Sequence, residues 1–172
     1  MKYIMQVQSY LLTPATVCLA VPLYEQLELL KKNKVAVVCG ILSGTLASLT
    51  GIFVLCMLFG FNHQQYVTML PKSITTAIGI GISEELGGIV TITVAVIIIT
   101  GILGNVIADT VFHIFKIKNP LAKGLALGTA SHAIGTARAI EMGPVEGAMS
   151  SLAVAVAGLL TVVFVSGFAQ LI

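Results

Sequence analysis

Thr75-Thr76-Ala77-Ile78-Gly79, five residues, then Glu85-Leu86-Gly87: this stretch decides the fold, because it occurs twice. The second copy reads Ser131-His132-Ala133-Ile134-Gly135, five residues, then Glu141-Met142-Gly143. The two copies share five identities in thirteen positions at a constant offset of 56, and Ser73 and Thr129 pair at that offset too. Each copy interrupts an otherwise apolar chain with glycine and hydroxyl residues. Paired interruptions of this kind in a hydrophobic protein mark the two halves of a transporter and point to its binding site.

The surrounding composition sets the solvent. The chain has 172 residues, of which 57% are hydrophobic and 9% charged, and its mean hydropathy is +1.03. Soluble domains carry about 25% charged residues, and so much apolar surface in water would form very large exposed patches. The expectation is an all-α integral membrane protein, a single membrane domain over 1–172. The repeat copies fall near 70–115 and 126–172. A net charge of +2 without charge runs gives no basis for nucleic-acid binding. Cys18, Cys39 and Cys56 are an odd number in apolar segments, read as packing residues rather than disulfides or metal ligands.

Four apolar segments frame the copies. Ser9 to Tyr24 is short and carries Pro14 and Pro22, which break the helical ladder. A short, Pro-interrupted membrane helix is expected there rather than a cleaved signal. Val35 to Phe61 is long enough to span with tilt. Its Gly40, Ser43, Gly44, Ala47, Ser48 and Gly51 suit close helix packing. Asn62 to Tyr66 reads as a polar loop. Ile89 to Phe115 and Val145 to Ile172 are the remaining spans. The copies themselves, Leu70 to Gly88 and Gly124 to Gly143, are too short and polar for ordinary spans.

Charge then gives topology. Lys31, Lys32 and Lys34 mark one loop as cytoplasmic, and Lys116, Lys118 and Lys123 mark another. The span Val35 to Phe61 leads away from that side and Ile89 to Phe115 leads back. Leu70 to Gly88 therefore starts and ends on the far side, dipping in as a re-entrant hairpin. The second copy enters from the cytoplasmic side. The result is a polytopic helical bundle with two broken or re-entrant segments forming an inverted repeat. Lys72, on the presumed outer side, runs against the charge rule.

Long ordered runs carry a resemblance. They are Leu12-Thr13-Pro14-Ala15-Thr16, Ala20-Val21-Pro22-Leu23-Tyr24, Leu70-Pro71-Lys72-Ser73-Ile74-Thr75-Thr76-Ala77-Ile78 and Glu85-Leu86-Gly87-Gly88. Further on come Asn119 to Thr129, Ser131 to Thr136 and Glu141-Met142-Gly143-Pro144-Val145-Glu146. Over nearly its whole length the chain resembles the LrgB/CidB family of bacterial membrane proteins. Lys72 and Arg138 look like the CidB-type branch. The resemblance implies a multi-pass protein of the bacterial cytoplasmic (inner) membrane. It implies one of two roles: an antiholin-like or holin-like regulator of murein hydrolase activity and autolysis (cytolysis), or a transporter of small carboxylates such as pyruvate or glycolate. Family members carry additional N-terminal membrane helices, and this chain is expected to begin inside that pattern. The resemblance also implies the lipid bilayer, a homo-oligomer and a small LrgA/CidA-type membrane protein as partners.

The chemistry fits monocarboxylate transport by alternating access at the broken helices, with the regulator as the alternative. Broken helices offer free N–H groups and the positive dipole end to an anion. The candidate substrate residues are Thr75, Thr76, Gly79, Ser131, His132, Gly135, Thr136 and Arg138. Small residues there serve either ligand approach or helix packing. Arg138 either binds a carboxylate or pairs with Glu141 and the interface, because intramembrane charge is costly and is functional or paired. His132 either donates to substrate, carries a proton, or makes a structural hydrogen bond. Glu85 and Glu141, equivalent under the repeat, are either proton acceptors or caps at the hairpin bases. Asp109 is expected at the interface. Nothing suggests a catalytic constellation, a phosphate loop, a metal site or a cofactor.

Overall fold

The computed structural model describes residues 24–172, and every described regular element is helical. The interrupted segment Ser9 to Tyr24, with Cys18, lies almost wholly outside the described residues. In chain order the helices are α1 (Leu27–Lys32), α2 (Lys34–Phe59), α3 (His63–Met69), α4 (Thr76–Glu85), α5 (Val90–Ile114), α6 (Pro120–Met142) and α7 (Pro144–Ala169).

Among the described residues three helices are long and apolar enough to cross a membrane: α2, α5 and α7, of 26, 25 and 26 residues. At 1.5 Å rise each reaches roughly 38 Å, enough for a hydrocarbon core of about 30 Å. Their bounds fall within a few residues of the apolar segments read from sequence. Val90 to Thr100 is rich in Ile, Val and Thr, a composition that favours strands in water. In lipid every backbone N–H and C=O must be satisfied within the segment, so it is helical. The helix α2 stops at Gly60, whose φ of 65° lets Phe61 N–H reach back to Cys56 C=O. That left-handed cap is the glycine stop.

Asn62 to Tyr66, expected as a loop, instead opens α3. Asn62 Oδ1 accepts from Gln65 N–H, and Gln65 Oε1 accepts from Asn62 N–H. This reciprocal box satisfies two donors that a helix start leaves free.

The chain from α3 to α4 is the first hairpin. The outer end of α3 is fixed by Tyr66 Oη donating to Phe168 C=O and by His63 Nδ1 against Ile172 C=O. The chain descends through α3, turns over residues 70–75, and returns through α4. One turn into α5, Thr93 Oγ1 donates to Thr68 C=O or to Ser83 Oγ, tying both arms to α5. An interruption or hairpin tip was expected within Thr75 to Glu85. It lies just ahead, and α4 runs unbroken through Gly79. Pro71 lacks the N–H that would continue α3. Gly79 is small because the Ile97 side chain packs against it.

The second hairpin lies inside α6. His132 has φ 43° and ψ −139°, so the helix breaks there into an inbound arm, residues 120–131, and an outbound arm, residues 133–142. The inbound arm runs alongside α7, with Gly124 against Met149 and Gly128 against Ala153. The outbound arm runs against it, with Ile140 at Gly147 and Thr136 at Ser150. Here too the break precedes the glycine, and the helix continues through Gly135. A Cβ on Gly135 would stand 2.6 Å from Ser131 Cβ.

The two hairpins enter from opposite ends. Ala36 of α2 and Asn119, Leu121 and Ala122 of α6 line the same end of one groove. The basic segments at Lys31 to Lys34 and at Lys116 to Lys123 therefore share one end of the bundle. Excess lysine makes that end cytoplasmic. Among the described residues three clusters form the core, the smallest joining Ala108, Phe112, Leu127 and Ala139, and two are larger. One, toward the outer end, joins Leu49, Ile52, Tyr66, Leu70, Ile74 and Val165; the other joins Val37, Ile41, Leu125, Met149 and Ala153.

Candidate functional site

The groove of about 780 Å3 lies between α2 and the inbound arm of α6. Its volume falls within the range of ligand sites, about 300–1,000 Å3. Its walls are small: Gly40, Ser43, Gly44 and Ala47 on one side, Ala122, Ala126 and Ala130 on the other. The glycines of α2 create this proximity. A Cβ on Gly44 would stand 2.9 Å from Thr129 Oγ1, and one on Gly40 would stand 3.1 Å from Leu125 Cδ1. The small-residue face of α2 thus serves contact within the chain as well as lining the groove.

Polar groups gather at the groove's inner end. Lys72 Nζ donates to Ser73 Oγ at 2.9 Å, and Ser48 Oγ donates to the same oxygen at 2.9 Å. Ser48 stands near the middle of α2, so Lys72 sits at half depth rather than at the outer surface. That corrects its reading from the charge rule: the tip of the first hairpin carries it inward. Ser73 accepts two hydrogen bonds and keeps its own O–H to donate; Lys72 keeps two of its three N–H donors. Among the described residues no carboxylate pairs with Lys72, because the ion pairs formed are those of Arg138. The positive end of α4 begins just after, at Thr75 and Thr76.

The tip of the second hairpin meets the first here. Thr129 lines the groove, and its Oγ1 donates to Leu125 C=O at 2.8 Å. Ser73, Ile74, Thr129, Thr45, Ser48 and Thr161 also surround a residual void of about 10 Å3. One water needs about that much room, so the tips are nearly in contact.

The sequence candidates lie around this centre rather than on it, and none lines the groove. Thr75 is the N-terminal cap of α4, and Thr76 is the first residue of that helix. Both are half-buried. Gly79 and Gly135 are buried at packing contacts. Ser131 is buried against Gly104 of α5. His132 Nε2–H donates to Ile97 C=O at 2.9 Å. Thr136 Oγ1 donates to His132 C=O or shares a 2.8 Å bond with Ser150 Oγ. Arg138 bonds Glu141 at 2.7 Å and also Asp109 on α5, at the cytoplasmic rim. Glu85 and Glu141 are exposed at the hairpin bases, on opposite ends of the bundle.

Sequence reasoning passed over Lys72, Ser73, Ser48 and Thr129 as site residues. The signals were present: Ser73 and Thr129 hold the 56-residue offset, and Lys72 is the one lysine outside the two basic segments and the N-terminus.

Comparison with known proteins gives the family. The model of the LrgB-like family matches residues 2–171. Antiholin-like protein LrgB from Bacillus cereus strain B4264 is 42% identical over 160 residues, which is 93% of this chain and 70% of that protein. The proteins of the same description from Bacillus cereus strain AH187 and from Bacillus anthracis strain CDC 684 / NRRL 3495 give the same figures. No solved structure matches. Three spans, two hairpins and a family match running almost end to end assign this chain to the LrgB-like family of multi-pass bacterial membrane proteins.

Proposed function

We propose that this chain is an inverted-repeat transporter of small monocarboxylates, of the pyruvate or glycolate kind. Each repeat is a hairpin followed by a span: α3, α4 and α5 in one, α6 and α7 in the other. The observation that carries the proposal is Lys72. An ammonium at half depth is costly without a partner, and this one has spare donors, the Ser73 hydroxyl beside it, and no carboxylate among the described residues. A carboxylate of the substrate supplies the missing charge. Alternating access then follows from small rocking of the two hairpins about their shared contact, with Thr129 and Ser73 on its two sides.

Uptake of labelled pyruvate or glycolate into proteoliposomes tests this. Wild-type protein should accumulate label faster than empty vesicles, and Lys72→Gln should lose most of the difference. Uptake equal to that of empty vesicles, with correctly inserted protein, overturns it.

A second reading, an antiholin-like regulator of murein hydrolase activity acting with a small LrgA/CidA-type partner or as a homo-oligomer, is favoured by the description shared by the relatives. Lipid-facing Leu55, Leu58 and Phe59 at the outer half of α2, all more than half exposed, offer the surface for such an assembly. Altered autolysis on deletion, restored by Lys72→Gln, would favour regulation over transport.

A further inference from the structure

A second pocket, about 550 Å3, lies at the cytoplasmic end where α5 turns into α6. Its lining includes His113, Lys116, Lys118 and Lys123 with Phe112 and Asp109. Three of the four charged groups are ammonium ions. The one carboxylate, Asp109, is already bonded to Arg138, so the pocket's own field is positive. Lys123 is half-buried, and its ammonium nitrogen lies 5.8 Å from the centre of the Phe112 ring, a cation–π contact that holds the charge at the pocket wall.

The backbone is bent to build it. Lys116 has φ 54°, a conformation usually left to glycine. Ile117 N–H closes the turn on Phe112 C=O at 2.8 Å, and Lys116 N–H bonds His113 C=O. A non-glycine residue held there is strained, and such strain gathers at functional sites. The amino end of α6 follows at Asn119–Pro120 and adds its positive dipole. Ile114 and Phe115, 65% and 72% exposed, flank the turn, so the pocket opens where acyl chains give way to headgroups.

We propose that this pocket binds the phosphate of an anionic phospholipid headgroup, distinct from the groove at Lys72. Basic pockets beside cytoplasmic helix ends take such headgroups, each lysine near the surface strengthening binding by about a factor of five. The acyl chains lie along exposed Val106, Ile107 and Ile114 of α5.

The full chain in detergent tests this by thermal unfolding and by native mass spectrometry of lipid adducts. Phosphatidylglycerol should raise Tm by a few degrees and give a retained adduct, where phosphatidylcholine does neither. The triple variant Lys116→Gln, Lys118→Gln, Lys123→Gln should lose adduct affinity on the order of a hundredfold. The triple variant Lys31→Gln, Lys32→Gln, Lys34→Gln, equal in charge and at the same end, should keep it. Each variant is compared with its own lipid-free Tm, so a loss of stability alone does not imitate the result. Equal loss in both variants reduces the pocket to general surface charge and overturns the proposal, as does full retention in the first. Inorganic phosphate reproducing the shift without lipid would assign the site to a soluble phosphate and overturn the lipid source.

Discussion

Ser73 and Thr129, 56 residues apart in sequence, face the same groove from the tips of two hairpins that enter from opposite ends. Neither tip is free to move alone. Ser73 is bonded to Ser48 of α2, and Thr129 packs on Gly44 one turn away on the same helix. The helix α2 is thus the fixed wall against which both tips rest. Ile97 is a second shared point, with its side chain under Gly79 of the first hairpin and its carbonyl bonded by His132 of the second.

Lys72 should carry the anion contact. Lys72→Gln removes one charge-assisted contact, about 1.5–3 kcal/mol, and should raise the KM for uptake roughly tenfold to hundredfold. Ser73→Ala should raise it less, because the ammonium remains. An unchanged KM in Lys72→Gln would leave the groove without a role in binding.

Arg138 should behave differently. Its guanidinium is held by Asp109 and Glu141 at an exposed rim, and these two carboxylates push its pKa above the ordinary value, the Asp109 bond first. It remains charged at any working pH, with both partners outside the groove. Arg138→Gln should therefore leave KM within about twofold while Lys72→Gln does not. A KM that rises equally in both would place the binding contact at Arg138 and against this arrangement.

The spans were legible because composition and length suffice to define them in lipid. The hairpins were legible because the 56-residue offset and the two lysine loops leave no other path for Leu70 to Gly88. What was not legible was depth. Thr75, Thr76, Ser131 and His132 were favoured for being polar in an apolar chain. Ser131 packs on Gly104 and His132 bonds Ile97 C=O, while Thr75 and Thr76 only start α4; polar groups in a bilayer are satisfied within the protein. Lys72 was discounted because the charge rule counts lysines by loop, and a tip that reaches half depth is no loop. The direction in which Ser48 points along α2 follows from packing, and no sequence period marks it.

The two basic segments should be accessible from the same side. In a background with all three cysteines replaced, Lys32→Cys and Lys118→Cys should react with an impermeant thiol reagent from one face. Gln64→Cys should react from the other. Lys118→Cys and Gln64→Cys reacting from a common face would remove the inverted arrangement of the hairpins.

Gly128 should tolerate no added carbon. It faces α7, where a Cβ would stand 2.7 Å from Ala153 Cβ and 3.0 Å from Ser150 Cα. Both neighbours are on a packed helix and cannot swing aside. Gly128→Ala should cost about 1–3 kcal/mol, read as a lower Tm in detergent. Gly51→Ala, where a Cβ meets nothing within 4 Å, should be neutral or slightly stabilising through better helix propensity. Equal Tm values for the two variants would mean that the inbound arm of α6 is not seated on α7 as described.

His132 separates hydrogen bonding from backbone strain. Its imidazole anchors the second tip to Ile97, while its φ of 43° and ψ of −139° are unfavourable for any residue with a Cβ. His132→Ala loses the anchor and keeps the strain. His132→Gly loses the same anchor but relieves the strain, since glycine adopts that region readily. Strain of this kind is worth about 1–3 kcal/mol. The order of Tm should therefore be Gly above Ala, against the usual rank of these residues in a helix, where Ala is better by about 1 kcal/mol. Wild type should stand above Ala by the lost bond and packing. If Ala proved more stable than Gly, residues 131–133 would be continuous helix, and α6 would be one rod rather than a re-entrant hairpin.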